Sequence, residues 1–271
     1  MLVELTGYLT LFGVLTLGEA IRYALVSGGI FVIFLVCARW IAPRKIQKKP
    51  SQLKDIRREI AGSLMTCAVF AFVITLMAFA LYSGWLQWRA FELSIGATLL
   101  FQIAMAVGHD TYFYWTHRLM HGRRLFRPVH LTHHRSKAPT AFASYAFSPC
   151  EAMVQVGFLP LWVALVPTAP ENIGLFALHQ VIHNTLGHTG HEIFWPGFTR
   201  GRLTRWFTTT THHDLHHSEG RCNYGLWFTW WDRIMGTEHP QYHQRFEASA
   251  RPLFGRRSKD GSPKPSIEPN G

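Results

Sequence analysis

Charge is scarce in this sequence: only 16% of its 271 residues are charged, against about 25% in ordinary soluble domains. Cysteine is scarce as well. Cys37, Cys67, Cys150 and Cys222 lie far apart and form no CxxC pair, so nothing points to a disulfide framework or a thiolate zinc site, and they are expected to be packing residues. The sequence has no cysteine-rich iron–sulfur pattern, no haem-attachment motif, no GxGxxG dinucleotide loop and no HExxH helix. Residues 1–20 lack the basic n-region of a signal peptide and carry Glu4 and Glu19. They are expected to lie in a membrane interface or to begin a tilted span.

What the chain has instead is long apolar runs alternating with basic segments. Residues 23–41 are apolar apart from Ser27 and Arg39, and residues 63–85 and 93–107 carry no charge. The first two are long enough to cross a bilayer core, and the third is with its flanks. Three such runs in so short a chain predict an integral membrane protein rather than the buried helices of a soluble one. The net charge of +11 is concentrated in residues 39–58 and 245–264. The positive-inside rule assigns both segments to the cytoplasm. These basic residues flank apolar spans and accompany no recognition motif, so they suit anionic lipid head groups and not nucleic acid.

The third span then ends on the cytoplasmic side and delivers Asp110, His117 and His121 there. Residues 147–170 are apolar but broken by Pro149, Pro160 and Pro167, and a second apolar stretch covers 173–186. Two spans or a re-entrant pair turning at 167–170 would return the chain to its own side. The expected fold is an all-α, multi-pass membrane bundle with a cytosolic, histidine-rich helical cap holding a dimetal site. Its expected parts are N-terminal transmembrane helices at 1–108, a histidine-box region at 109–250 including a membrane hairpin near 147–187, and a disordered basic tail at 251–271.

Histidine is the abundant exception, at 16 residues. Eight sit in three boxes: His117 and His121; His130, His133 and His134; His213, His216 and His217. Positions i, i+3 and i+4 share one helix face, so each box is expected to aim its imidazoles at one point. A metal bound through the ring nitrogens explains such crowding, and three boxes exceed the needs of one tetrahedral ion, which points to two. His212 adjoins the third box. His179, His183, His188 and His191 form a further cluster from which the shells are expected to be completed, His188 first, then His191 and His183. His179 suits a packed histidine as well as a ligand.

Imidazole suits zinc, copper, iron and nickel alike. No acid lies within the first two boxes, which argues against a carboxylate-bridged centre. Asp110, two helical turns before His117, is placed to accept a ring N–H and fix a tautomer; Asp214, Glu192 and Asp232 are lesser candidates for the same role. Tyr112, Phe113, Tyr114, Trp115, Phe147, Trp227, Trp230 and Trp231 are candidates to wall a dry channel or to form an interfacial belt.

The order HxxxH, HxxHH, Asn184…His188-Thr-Gly190 and HxxHH resembles the fatty acid hydroxylase/sterol desaturase superfamily. The lead-in from Asp110 to Arg118 and the closing stretch from Asn223 to Thr237 are similar to its signatures, so the likeness covers roughly residues 105–240. It implies a membrane di-iron oxygenase that uses O2 and two electrons to hydroxylate or desaturate a C–H bond of a lipid, with the eight box histidines and His188 as iron ligands. His191 stands where relatives carry an aromatic residue. The implied cofactor is two iron ions, with zinc an option in purified or crystallised protein. The implied partners are a lipid substrate, the bilayer and a separate electron donor, whether ferredoxin, cytochrome or reductase. A basic cytoplasmic face would suit an acidic carrier. Two competing readings are a histidine-rich metal transporter, which predicts histidines within the spans, and a zinc-dependent lipid hydrolase, which needs a Glu base beside a ligand, as His191-Glu192 offers in isolation.

Overall fold

Residues 2–36 contain no proline and are apolar for most of their length, so nothing interrupts one continuous helix, α1 (Leu2–Val36). At 1.5 Å per residue its 35 residues extend about 52 Å, well beyond a hydrocarbon core of about 30 Å. The N-terminal stretch is therefore a continuation of the first span. That span was expected at 23–41, but the helix ends at Val36, a short turn (Ala38–Ile41) follows, and Pro43 closes it. The chain is described here from a computed structural model covering residues 2–47, 50–87, 89 and 94–251. The basic tail expected to be disordered lies outside the described residues from position 252 onward. Among the described residues the protein is all-helical, with isolated β-bridges and no strand.

Helix α2 (Leu53–Tyr82) opens on a capping box between Gln52 and Asp55. It carries Lys54, Arg57 and Arg58 in its first turns before the apolar run starts. Among the described residues, α1 and α2 are the two helices long and apolar enough to cross a membrane, and only 17% and 28% of their most apolar windows are buried. Leu9, Leu17, Leu25 and Val36 on α1 and Phe72 and Leu76 on α2 face outward. Water would make that surface an aggregation hazard, whereas hydrocarbon solvates it.

The third expected span, 93–107, becomes the N-terminal part of α3 (Ile95–Met120), capped by Ser94. This helix does not pass the same test of length and hydropathy, because Gln102, His109 and Asp110 interrupt it. Its first turns expose Leu99, Leu100 and Ile103, and its later turns bury Met105, His109, Asp110, Tyr114 and His117. One unbroken helix thus links an apolar end to the first histidine box.

After the short helical segments at Phe126–His130 and Leu131–His134 come α4 (Pro149–Leu165) and α5 (Pro170–Gly187), each with proline at its first position and joined by a turn at 166–169. Helix α6 (Thr210–Glu219) starts at the Thr209 cap and stops at Gly220, whose φ of 72° terminates it. Helix α7 (Tyr242–Ser249) packs on α6 through Tyr242 and Phe246. Buried hydroxyls tie α1 to the short helical segment Ala141–Tyr145 and to α5: Ser27 lies 3.2 Å from Ser144 and 3.1 Å from Thr185, and Tyr23 donates to the Phe142 carbonyl at 2.9 Å.

Helices α3 and α4 approach so closely at Gly108 that a Cβ there would meet the Trp162 ring. Overpacking of this kind costs on the order of 1–3 kcal/mol. Gly108→Leu is expected to lower the melting temperature of detergent-solubilised protein, and a wild-type melting curve would show that the contact yields freely.

Candidate metal centre

Nine imidazoles gather in two adjoining groups. His117, His121, His130, His134 and His216 form the first, and His133, His188, His213 and His217 the second, with the ligand atoms of each within 4.8 Å of one another. All eight box histidines and His188 are included. The boxes do not each aim at a single point, as was expected; the second and third divide between the groups. A residue step turns a helix by about 100°, so i and i+4 differ by about 40° while neighbours diverge. His130 and His134 therefore stay together while His133 turns to the second group. His213 and His217 likewise stay together while His216 turns to the first. The groups touch through His134 of the first and His217 of the second, whose ring centroids are 5.0 Å apart.

The outer nitrogens show which atoms remain free. His117 donates its Nδ1–H to the Tyr224 carbonyl at 2.9 Å, His216 to the Cys222 carbonyl at 2.7 Å and His188 to the Asn184 carbonyl at 2.7 Å. His130 Nδ1 lies 2.8 Å from the Glu151 carboxylate. A neutral imidazole has one N–H, so each of these Nε2 atoms carries a lone pair. The Nε2 atoms nevertheless face one another: His117–His130 at 3.0 Å, His134–His216 at 3.0 Å, and His188–His213 at 3.0 Å. Desolvation, reinforced by neighbouring imidazoles, holds His130, His133, His213, His216 and His217 well below the usual histidine range. Burial pushes His117 down to about 4, against the Tyr224 hydrogen bond. Protonation therefore does not relieve the contacts, and a bound cation does. Two nitrogens about 2.1 Å from one ion at a right angle lie about 3.0 Å apart, so the donor set fits a transition metal in each group.

Asp110 does not reach a ring N–H. Its Oδ1 accepts the backbone N–H groups of Leu226, Trp227 and Phe228, because the chain from 222 to 229 folds across the inward face of α3. Asp232 accepts from Tyr224 and Gly225 at 2.8 Å each and lies 3.4 Å from His212 Nε2. Burial raises the Asp232 carboxyl, but His212 and the loop N–H groups outweigh it and leave the group below its usual value. Gly225 is required here, since a Cβ would run into the Phe228 carbonyl. Glu192 fastens the first turn of α6, accepting from the Thr211 N–H at 3.0 Å and its hydroxyl at 2.6 Å; burial raises its carboxyl. Asp214 accepts from Gln47 at 2.8 Å.

His191 joins neither group: its Nδ1 donates to the Thr189 carbonyl at 2.8 Å and its ring meets Phe34 edge-on. His183 donates to the Leu226 carbonyl and stacks on Trp227, and His179 packs against the same indole. Phe113 and Phe147 line a small space beside His117, His130 and His133, and Trp227 and Tyr112 belong to the adjoining apolar cluster. Tyr114, Trp115 and Trp231 pack on one another. Sequence reasoning missed Glu151 as the partner of His130. Its one signal was an acid in the first turn of an apolar helix.

Fold and site together define an all-helical protein with two candidate membrane helices, built round two buried groups of imidazoles that could each hold a metal ion. The chain belongs to the fatty acid hydroxylase family, whose profile matches residues 102–237, half of the sequence. It is similar to a Delta(7)-sterol 5(6)-desaturase of Gibberella zeae, 30% identical over 83% of this chain and 70% of the relative. It is also similar to cholesterol 25-hydroxylase of Rattus norvegicus, 29% identical over 76% and 70%. Methylsterol monooxygenase 1 of Rattus norvegicus is 32% identical over 54% of this chain and 48% of the relative, so that match spans about half of the relative's length. No solved structure matches.

Removing a carboxylate that orients a ligating histidine typically weakens metal binding about 10–100-fold. Glu151→Gln is expected to do so in a chelator competition titration; unchanged affinity would make the His130 contact incidental to binding. In metal-stripped protein the unfolded chain binds more protons than the folded chain below pH 6.5, the ordinary histidine value, down to about 4 for His117. Stability is thus full above pH 6.5 and falls as the pH drops through that window, as melting curves at stepped pH should show.

Proposed function

We propose that this protein is a membrane-bound, non-haem di-iron oxidoreductase that uses O2 to hydroxylate or desaturate a C–H bond of a lipid such as a sterol or fatty acyl chain. The observation that carries the reading is the pair of touching, carboxylate-free imidazole groups, five and four ligands strong, buried where α3, α5 and α6 meet. Its relatives are named for oxidations of sterols, which supports the reaction class and a lipid substrate.

Iron bound there would supply O2 activation: O2, two electrons and two protons yield one hydroxyl and one water, or one double bond and two waters. His117, His121, His130, His134 and His216 would hold one ion, and His133, His188, His213 and His217 the other. Zinc fits the same donors and would leave the centre redox-silent. Glu151 and the carbonyls of Tyr224, Cys222 and Asn184 orient the rings. Phe113, Phe147 and Leu226 exclude water beside them. With no redox cofactor motif in the sequence, the electrons come from a separate ferredoxin, cytochrome or reductase.

Arg39, Arg44 and Lys45 follow α1, and Lys54, Arg57 and Arg58 begin α2, all at the end that meets the cap. Arg58 itself reaches the Arg135 carbonyl beside the second box. By the positive-inside rule, this supports a multi-pass protein with its histidine boxes in the cytoplasm and a basic face for an acidic donor.

Purified, iron-loaded protein with a reducing system is expected to form a lipid product only in the presence of O2. His133→Ala and His216→Ala, one from each group, should each lose turnover and metal. Product formed without O2, or full activity in either variant, would overturn the reading.

A further inference from the structure

Between α1, α2, α4 and α5 lies a cavity of about 140 Å³ that sequence reasoning did not anticipate. Its walls are apolar, with Phe70, Ile74, Val156 and Phe158 among them, yet it also holds Glu19, Arg22, Gln155 and Gln180. Gln155 and Gln180 line the small space beside His117, His130 and His133 as well. The two spaces therefore meet at these two amides. Gln155 is 4% exposed. From Gln180 the cavity follows α5 away from the cap to Ile173, about 10 Å along the axis.

Glu19 and Arg22 form an ion pair one turn apart on α1, inside the segment long enough to span the bilayer. Charges at that depth are costly and mark function more often than stability. The pair leaves the pocket with no net charge. Among the described residues the buried Nε of Arg22 has no hydrogen-bond partner. His109, also on the wall, accepts the Trp227 indole N–H on Nδ1 at 3.0 Å, so its other nitrogen carries the proton and the ring is neutral. A carboxylate or phosphate entering here would meet Glu19 and find no uncompensated cation. A hydroxyl can donate to Glu19 and accept from Arg22.

We propose that this cavity binds an uncharged lipid alcohol, its hydroxyl held by the Glu19–Arg22 pair and its chain directed between Gln155 and Gln180 toward the imidazoles. The proposal rests on the oxidoreductase reading for its link to turnover. Glu19 and Arg22 act as specificity-determining residues that select the head group, at a distance from the reacting carbon.

The test is saturable binding of radiolabelled oleyl alcohol and oleate, which share one hydrocarbon chain, to the full-length protein in detergent. Native protein is expected to bind the alcohol more tightly by about tenfold or more. Glu19→Gln uncovers the Arg22 charge and should reverse the preference. Arg22→Gln should weaken alcohol binding without admitting oleate, and it serves as the check if Glu19→Gln does not fold. Gly174 lines the cavity with nothing within 4 Å of a built Cβ, so Gly174→Phe should fold and block both ligands. Equal affinity for the two ligands in native protein, an unchanged ratio in Glu19→Gln, or undiminished binding in Gly174→Phe would overturn the proposal. Binding is read without turnover, so selective alcohol binding with no O2-dependent product would remove the reaction and keep the cavity. An O2-dependent product with unselective binding would do the reverse.

Discussion

The structure depends on lone pairs held against one another. Rings tied through Nδ1 to fixed carbonyls or to Glu151 have only Nε2 to offer, and these face one another or the Nε2 atoms of His134 and His217 at 3.0–3.3 Å in the dry interior. Neither water nor protons reach them cheaply, so the arrangement is favourable only around cations. Much of the cap can be understood as scaffolding for that repulsion. Asp110 and Asp232 both grip the 222–229 loop, whose carbonyls orient His117 and His216, and Glu192 anchors the helix bearing His213, His216 and His217.

The membrane helices serve the same centre from the other side. Helix α3 passes from exposed leucines to His117 without a break, so the first ligands are fixed relative to the apolar part of the protein. Ser27 of α1 contacts Thr185, three residues before His188. Glu59 of α2 accepts the Thr140 hydroxyl at 2.6 Å, just after the second box. These buried polar ties have fixed partners and bring no flexible charge into the centre. A lipid lying between α1, α4 and α5 would therefore meet a rigid metal site from within the hydrocarbon phase.

Much of this was legible in the sequence. The i,i+4 spacing of His117 and His121, the repeated HxxHH and the uncharged runs pointed to an all-helical membrane protein with clustered imidazoles, and His188 followed from the need for further donors. Other features were not legible because they depend on rotation and tertiary contact rather than spacing. The division of the second and third boxes between two groups follows from the angular offset of adjacent residues. Asp110 lies on the His117 face, but the fold sets a loop of backbone N–H groups against it. His191 is one residue past a glycine whose φ of 68° turns the chain away. Span ends shifted because helix limits follow caps and prolines, not the edges of an apolar run. In the sequence Glu19 stands only as an acid near the start of an apolar run, and packing places it with Arg22 on the wall of a cavity.

The most direct test of a cation-centred imidazole core is X-ray absorption at the metal edge of purified, full-length protein. The account predicts a first shell of nitrogen near 2.1 Å, with the outer-shell scattering of imidazole rings at four to five per ion. A shell dominated by sulfur or by short carboxylate bridges, or metal bound without imidazole scattering, would contradict it.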